Sequence, residues 1–373
     1  MQRNAMQDNK RLSEKEFLER RVKLECFPQQ MAIYATDTCN IRCVECDYGQ
    51  KVAPRLSINE EGYQRVLDVF PFAERVGIAG AEMFYDEGNP GGYAQKIFDE
   101  GMKHPNLRFV GFTNGTLLTP ERITLIVKKF KWIGVSIDSP DPNTYKTIRV
   151  GSNLHHIIRN IKKISERKAE IGLGRSDSPE IVVSSVISER TFKSVVEMVD
   201  LAHEIGALGV HFQAPWEGTY VNENIFMDRE KTKEYLALRK QAANKAGDFG
   251  IFIVDRTINS IVRNMPEHKE LFETPGNLVR DKWPNCCDSP WTELYIWRNG
   301  DVKVCCTSNT VLGNINHNSI YEIWNSPEIL KLRRRILKGN YAKDCQSNCH
   351  RGYLLPHCRR GPLSQLIANL FWG

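Results

Sequence analysis

The sequence has no long apolar run and no signal for membrane insertion. No window of its 373 residues approaches the roughly 18 consecutive apolar residues that suggest a membrane-spanning helix. The N-terminus, Met1 to Arg21, is polar and charged and lacks the apolar stretch of a signal peptide. Internal repeats and low-complexity tracts are missing, and 41% hydrophobic residues exclude disorder as the dominant state. We therefore expect a soluble cytoplasmic protein with one large α/β domain and a smaller one.

Cysteine is missing from the middle of the chain but frequent near both ends. None of the 11 cysteines lies between Cys46 and Cys286, three lie close together near the start, and seven lie from Cys286 to Cys358. A secreted disulfide scaffold spreads its cysteines through a short chain, whereas clusters of cysteines in a long intracellular chain more often bind metal. This distribution favours metal ligation over disulfides.

The net charge of +6 has a local origin. Between Lys331 and Arg360 there are nine Lys or Arg and one Asp, a local charge of +8, so the rest of the chain sums to −2. Thiolate-ligated clusters are anionic. Compensation of a cluster's negative charge therefore explains the basic residues among the C-terminal cysteines at least as well as a phosphate-binding face does. A solvated helix face at Lys331 to Lys338 is the simplest alternative. We do not expect a nucleic-acid partner.

Short β-type runs alternate with helical patterns through the first two thirds of the chain. Such alternation implies parallel βα units, hence a barrel or a doubly wound sheet with its chemistry at the carboxyl ends of the strands. A hairpin-like pair, Glu293 to Trp297 and Val302 to Cys305, follows later and is joined through the turn dipeptide Asn299-Gly300. The predicted strands before it are Ala32 to Thr36, Val76 to Met83, Arg108 to Thr113, Trp132 to Ile137, Ile181 to Ile187, Gly209 to Gln213 and the short Ile251 to Val254.

The first chemical motif is Cys39-x3-Cys43-x2-Cys46, directly after the first predicted strand. Three thiolates on one loop can hold three corners of a cubane iron–sulfur cluster and leave one iron open for catalysis. A structural zinc site, which needs four ligands, and ordinary buried thiols are the alternatives. The spacing alone leaves these interpretations open.

The segment from Thr38 to Cys46 resembles the signature of the radical S-adenosylmethionine (radical SAM) superfamily. Further motifs follow in the family's order over about residues 30 to 215. Gly80-Ala81-Glu82 resembles the Gly-Gly-Glu motif that receives the methionine amino group, and Asn114 lies in the common Thr-Asn-Gly. The resemblance implies a partial (β/α)6 TIM barrel.

Two further segments resemble the family's cofactor-binding strands, and one position departs from its pattern. Ser136 and the downstream Arg149 match residues that approach the cofactor's ribose and carboxylate, while the residue before the third cysteine, usually aromatic, is Glu45. Tyr48 is therefore expected to contribute to adenine contact. The resemblance implies cofactor-binding roles for Tyr48, Gly80, Ala81, Glu82, Asn114, Ser136, Asp138, Arg149 and Ser184.

The cysteine-rich C-terminal part resembles the SPASM/twitch module of many radical SAM enzymes, a small α+β module that binds auxiliary 4Fe-4S clusters. The two-cluster version needs seven cysteines in a pattern that this chain lacks, so one auxiliary cluster and one catalytic cluster are expected. Cys358 is an alternative to Cys349 or a hydrogen-atom donor, and Cys286 is an alternative to Cys287. The simplest auxiliary ligand set is Cys287, Cys305, Cys345 and Cys349.

These resemblances imply a radical SAM oxidoreductase that cleaves S-adenosylmethionine to a 5′-deoxyadenosyl radical, abstracts a substrate hydrogen and passes an electron to the auxiliary cluster. The implied partners are a sugar-like or aminocyclitol small molecule and a flavodoxin- or ferredoxin-type electron donor. Epimerisation, with Cys358 returning a hydrogen atom, and peptide modification are the alternatives. Only about 29 residues precede the first predicted strand, too few for a leader-binding core. A non-catalytic iron–sulfur protein would not need the barrel motifs in cofactor-binding order.

Substrate residues are predicted from position alone. Glu189 follows the fifth strand at the end where barrel chemistry occurs, with a helix cap or a salt bridge as the alternative role. The expected segments are a helical lead-in at 1–29, the radical SAM partial barrel at 30–230, a helical connector at 231–283, the auxiliary-cluster module at 284–358 and a tail at 359–373.

Overall fold

The computed structural model describes residues 4–51, 53, 56–85, 93–215, 223–265, 267–268 and 287–338. Within these ranges the strands are β1 Gln30–Thr36, β2 Arg42–Cys43, β3 Arg75–Gly80, β4 Arg108–Thr113, β5 Phe130–Ser136, β6 Arg149–Val150, β7 Glu180–Val186, β8 Gly209–Gln213, β9 Phe252–Asp255, β10 Glu293–Ile296, β11 Asp301–Lys303 and β12 Gly313–Asn314. The helices are α1 Ala5–Leu18, α2 Glu60–Leu67, α3 Ala94–Met102, α4 Pro120–Lys129, α5 Pro142–Ile148, α6 Leu154–Glu170, α7 Val195–Glu204, α8 Arg229–Asp248, α9 Ile258–Asn264, α10 Ser289–Thr292, α11 Ile320–Trp324 and α12 Pro327–Leu337. No helix in this part of the chain is both long and apolar enough to cross a membrane.

Backbone contacts divide the chain into two units, and the division falls inside β4. Unit 1 comprises Met1–Asp37, Pro54–Val110 and Val279–His357, and unit 2 comprises Thr38–Ala53, Gly111–Leu278 and Cys358–Gly373. The five sequence segments proposed above remain a prediction.

In unit 1 the strands follow the order β12-β11-β10-β1-β3-β4. β1 lies between β10 and β3 and is parallel to both, while β10 and β11 form the predicted antiparallel hairpin. Gly300 allows the hairpin turn because its φ is +83°, and the Trp297 amide donates to the Asp301 carbonyl at 2.8 Å. The C-terminal hairpin thus extends the sheet directly beside β1.

The N-terminal segment packs on the C-terminal helices of unit 1. Ser13 on α1 donates its hydroxyl to the Trp291 carbonyl at 3.2 Å, and the Glu16 carboxylate accepts from the amides of Glu25 and Cys26 at 2.8 and 3.1 Å. Arg333 on α12 donates to the Val22 carbonyl at 2.8 Å. The segment is therefore built into this unit by buried hydrogen bonds.

In unit 2 the order β5-β7-β8-β9 is parallel throughout. β7 is buried along nearly its whole length, as expected for a parallel strand covered on both faces. Along the chain, α6 precedes β7, α7 lies between β7 and β8, and α8 lies between β8 and β9. The predicted α/β class of parallel βα units is confirmed.

Two local features differ from the sequence prediction. The strand predicted as Val76 to Met83 ends at Gly80, because Gly80 has φ +115° and its successor Ala81 donates its amide to the Thr36 carbonyl at 3.1 Å. A two-stranded antiparallel sheet of β2 and β6 was not predicted, since strands of two residues carry no detectable period. It places Cys43 opposite Arg149.

Candidate active site

Three cysteine thiols that form no disulfide lie on the loop that follows β1. Cys39, Cys43 and Cys46 are all half-buried. Burial, helped by the charges of Asp138, Cys46 and Cys39, raises the pKa of Cys43 to about 11, and the Arg149 guanidinium opposes this increase. Cys39 and Cys46 thus both act electrostatically on the Cys43 thiol. The loop itself folds back tightly, because a Cβ on Gly49 would approach the Cys43 backbone nitrogen to 2.8 Å.

Asn114 approaches the first cysteine from the end of β4. Its side-chain amide donates to Cys39 Sγ at 3.7 Å and to Asn40 Oδ1 at 2.9 Å. Asn40 in turn donates to the Thr116 hydroxyl at 2.8 Å. The following Gly115 has φ +74°, which lets the chain turn sharply after Asn114. The Thr-Asn-Gly motif therefore supports the cysteine loop directly.

Arg149 approaches the second cysteine and is held by a buried carboxylate. Its Nη1 donates to Cys43 Sγ at 3.7 Å, while Nε and Nη2 bind the two Asp138 oxygens at 2.6 and 3.2 Å. Burial alone would lower the pKa of Arg149, but Asp138 and Cys43 raise it well above its usual value. Asp138 thus fixes the Arg149 guanidinium with one of its N–H groups directed at the Cys43 thiol.

Asp138 also connects the ends of two parallel strands. Its Oδ1 accepts from the Val186 amide at 3.0 Å, and its backbone carbonyl accepts from the Ser185 hydroxyl at 3.3 Å. Ser136 is opposite Ser184 in the β5–β7 register, and the Ser184 hydroxyl lies 3.4 Å from His211 Nδ1. Their predicted contacts with a cofactor ribose remain predictions.

Glu45, where the family usually has an aromatic residue, lies in a poorly solvated position. Burial, then the charges of Asp138 and Glu223, raise the pKa of Glu45 to about 7, while Ser188 and Arg149 oppose them. Ser188 and Glu223 had no motif or spacing to identify them in the sequence, because only the fold brings them to the loop. Tyr48 is half-buried on the same loop, and its predicted adenine contact remains a prediction.

The Gly80-Ala81-Glu82 segment is fixed within unit 1. A Cβ on Gly80 would lie 2.1 Å from the Thr36 carbonyl oxygen, so this close approach requires glycine. Glu82 is buried, and its carboxylate accepts from the Phe84 amide at 3.3 Å. The motif therefore has a backbone that closely approaches Thr36 and a buried acidic side chain, and its contact with the methionine amino group remains a prediction.

Of the predicted auxiliary ligands, the structure describes Cys287 and Cys305. Both are half-buried, and neither forms a disulfide. Burial, with Glu293 and Cys306 adding to it, raises the pKa of the Cys305 thiol to about 12. The other cysteines named for this site lie outside the described residues: Cys286, Cys345, Cys349 and Cys358.

Glu189, the predicted substrate residue, forms a salt bridge at the surface. Its Oε2 accepts from Lys231 Nζ at 2.6 Å. The neighbouring Arg190 instead binds Glu223 at 2.7 Å. A catalytic role for Glu189 remains a prediction.

The residues of the cysteine loop fit an iron–sulfur cluster. The loop offers three thiols that form no disulfide, and the N–H groups of Asn114 and Arg149 are directed at two of them, as the negative charge of thiolate ligands requires. In the described ranges no three His, Cys, Asp or Glu side chains are grouped as ligands of one metal ion.

Comparison with protein families gives the class of protein. Residues 33–176 match the radical SAM superfamily, and residues 286–350 match the SPASM family, described as an iron–sulfur cluster-binding domain. The chain therefore carries a radical SAM domain followed by a SPASM domain. The predicted cofactors, S-adenosylmethionine and iron–sulfur clusters, are confirmed at the level of these two domain families.

Individual relatives are distant. The chain is 22% identical over 212 residues to the GTP 3′,8-cyclase of Petrotoga mobilis and 28% identical over 177 residues to a probable GTP 3′,8-cyclase of Methanococcus maripaludis. These matches cover 55% and 46% of this chain, and 62% and 54% of the relatives, so the chain spans only part of their length.

Two groups of solved structures share the fold. Streptococcus suis SuiB bound to the precursor peptide SuiA has a TM-score of 0.57 at 15% identity, covering 87% of this chain and 70% of SuiB. The anSMEcpe structure with AdoMet and the Cp18Cys peptide has a TM-score of 0.53 at 14% identity, covering 90% and 86% of the chains. At such low identity these likenesses show the fold alone.

Proposed function

We propose that this protein is a radical SAM oxidoreductase that oxidises an alcohol or amine carbon of a small sugar-like or aminocyclitol substrate. One observation carries the proposal: N–H donors from Asn114 and Arg149 reach two of the three thiols of the cysteine loop, within a radical SAM domain that precedes a SPASM domain. The presence of a second cluster-binding domain favours oxidation, because it offers a destination for the second electron.

When bound, S-adenosylmethionine and the first cluster supply the hydrogen-abstracting radical, and the auxiliary cluster accepts the electron that remains on the substrate. The substrate thus loses a hydrogen atom, an electron and a proton. Cys39, Cys43 and Cys46 hold the first cluster, and Cys287, Cys305, Cys345 and Cys349 are proposed for the second.

The chain's other residues bind and orient the cofactor. Asn114 and Arg149 stabilise thiolate charge through their N–H groups. The Gly80 to Glu82 segment is proposed to bind the methionine amino group, and Ser136 and Ser184 are proposed to bind the ribose. The proposed electron donor is of the flavodoxin or ferredoxin type.

Alanine substitution of all three loop cysteines tests this function. Reconstituted wild-type protein should hold about eight irons and form 5′-deoxyadenosine under reduction, whereas the Cys39/Cys43/Cys46 triple variant should hold about four and form none. Cys26→Ser, at a buried cysteine outside both proposed sites, should keep all of the iron. Formation of 5′-deoxyadenosine by the triple variant would falsify the assignment.

Peptide modification is the second candidate. It is favoured because SuiB and anSMEcpe, which share this fold, both bind peptides in solved structures. Turnover in deuterated water separates dehydrogenation from epimerisation, since return of a hydrogen atom by a cysteine thiol labels the product. We expect unlabelled product from the wild type. Deuterium incorporation that is lost in Cys358→Ala would instead establish epimerisation. Mass spectrometry measures the deuterium content of the product in both proteins.

A further inference from the structure

The two-stranded sheet of β2 and β6 brings the cysteine loop to the surface of unit 2. Arg42 pairs with Val150, and Cys43 pairs with Arg149. Cys43 is half-buried, whereas Arg42 is exposed and Val150 is 45% exposed. The exposed pair of residues therefore lies directly beside the pair that belongs to the candidate site.

Neighbouring segments extend this exposed region. The Val44 amide donates to the Ile148 carbonyl at 3.0 Å, which joins the cysteine loop to the end of α5, and the last turn of α5 carries Lys146. The Gln50 side-chain amide donates to the Cys43 carbonyl at 3.0 Å, which holds the end of the loop against β2. We define the β2–β6 surface as Arg42, Lys51, Lys146 and Val150.

The exposed charges on this surface are all positive. In residues 40–51 and 142–154 the exposed charged side chains are the cations Arg42, Lys51 and Lys146. The acidic residues of the loop, Glu45 and Asp47, are half-buried. Asp141 is exposed, but it lies at the opposite end of α5, where its carboxylate caps the helix. The surface therefore combines three positive charges with one apolar side chain.

Other surface cations of unit 2 have carboxylate partners. Lys162 pairs with Glu204 at 3.1 Å, and Lys231 pairs with Glu189 at 2.6 Å. Among the described residues, the three cations of the β2–β6 surface form no ion pair. Their charge is not compensated within this part of the chain, so it favours an acidic partner.

An electron donor to the first cluster needs a short path, because the rate of electron transfer falls steeply with distance. Weak electron-transfer complexes have small interfaces, so a surface of few residues is sufficient. The acidic rim and exposed apolar flavin edge of a flavodoxin complement the three cations and Val150. We propose that the β2–β6 surface is the docking site of a flavodoxin-type donor.

In this complex the reduced flavin loses one electron and the first cluster gains it, and no bond forms or breaks. This inference rests on the proposed function and adds the place at which its electron donor binds. The docking residues act by holding the donor beside the cysteine loop, and they take no part in the chemistry of the substrate.

Calorimetric titration of the reconstituted protein with an FMN-loaded bacterial flavodoxin tests the surface without turnover. Wild-type binding should weaken about tenfold between about 50 and 300 mM salt. Lys146→Gln should weaken binding about threefold and Lys146→Glu about tenfold, because charge reversal adds repulsion to the loss of attraction. Val150→Glu should also weaken it about tenfold. The iron content of each variant shows whether its clusters are intact.

Lys240→Glu is the matched control, because Lys240 is an exposed lysine on α8 of unit 2 and forms no ion pair within the described ranges. It should bind flavodoxin like the wild type. Equal weakening in Lys240→Glu and Lys146→Glu, undetectable binding by the wild type, or binding that does not depend on salt would overturn the proposal. So would binding of a single-stranded RNA that Lys146→Glu abolishes while flavodoxin binding persists, which would assign the surface to nucleic acid.

Two reductants distinguish failure of this proposal from failure of the proposed function. Formation of 5′-deoxyadenosine with reduced flavodoxin should fall about tenfold in Lys146→Glu relative to its rate with dithionite, a small reductant that needs no docking surface. An equal fall with both reductants would overturn the docking role. Absence of 5′-deoxyadenosine from the wild type with dithionite would instead contradict the proposed function, whatever the titrations show.

Discussion

At the scale of single residues, the arrangement around Cys43 depends on one buried carboxylate. Asp138 is 3% exposed and holds Arg149 so that the guanidinium reaches both the carboxylate and the Cys43 sulfur. Motif resemblance identified both residues, but as separate cofactor contacts. The contact of Arg149 with Cys43 was not predictable, because it depends on β2 and β6 bringing residues 43 and 149 into register. Asp138 therefore acts on the cysteine loop through Arg149.

Asp138→Asn should weaken this arrangement without removing a cysteine. Loss of the buried counter-ion should lower the free energy of unfolding by roughly 2–4 kcal/mol, measured by denaturant titration. With the cluster reconstituted, the electron paramagnetic resonance spectrum of its reduced form should change because Arg149 is no longer fixed. Asp141→Asn is the control, since Asp141 is an exposed N-cap of α5 and asparagine caps equally well. If Asp138→Asn and Asp141→Asn had the same free energy of unfolding, Asp138 would contribute no more to stability than an exposed carboxylate.

At the scale of elements, regular strands were predictable and irregular ones were not. The bounds predicted for β4 and β8 match the structure, because a run of strand-forming residues marks each of them. The prediction failed at the end of β3, where a close backbone approach at Gly80 ends the strand, and at β2 and β6, which are too short to show alternation. Both failures lie beside motifs of the candidate site, where tertiary contacts determine the backbone.

The first residue of β7 gives an element-scale prediction about pH. Glu180 is buried, and burial raises its pKa to about 7 despite Lys131 and Lys168 nearby. Between pH about 4.5 and 7 the folded state therefore binds more protons than the unfolded state, so stability should fall as pH rises through this window. Relative to Glu180→Gln, the wild type should lose roughly 1–3 kcal/mol of unfolding free energy from pH 5 to pH 8.

Parallel denaturant titrations at the two pH values measure this difference. Glu170→Gln, at an exposed carboxylate that pairs with Arg167, should follow the wild type. An identical pH dependence in Glu180→Gln and the wild type would show that the Glu180 carboxyl is ionised normally in the folded protein.

At the scale of the whole molecule, unit 1 joins segments that are far apart in sequence, and the link was not predictable from composition. Arg333 is fully buried on α12, although it stands in the basic run that the sequence assigns mainly to a solvated helix face. It donates to the carbonyls of Val22 and Pro290, both at 2.8 Å, and its guanidinium lies 4.6 Å from the Trp324 ring centre. One side chain thus connects the N-terminal segment, α10 and α12.

Arg333→Met should separate these segments even though methionine fills much of the same volume. Burial lowers the pKa of Arg333 to about 9, so it is still charged at neutral pH, and its loss would leave the two buried carbonyls without their donor. We expect the free energy of unfolding to fall by roughly 2–4 kcal/mol, with faster proteolytic cleavage of the N-terminal segment in native protein. Arg334→Met, an exposed neighbour on the same helix, should change neither measurement. Equal proteolysis of the two variants would mean that α1 and α12 are held together without the arginine, and apolar contacts such as the edge-on packing of Phe17 against Trp291 would then be the connection to test.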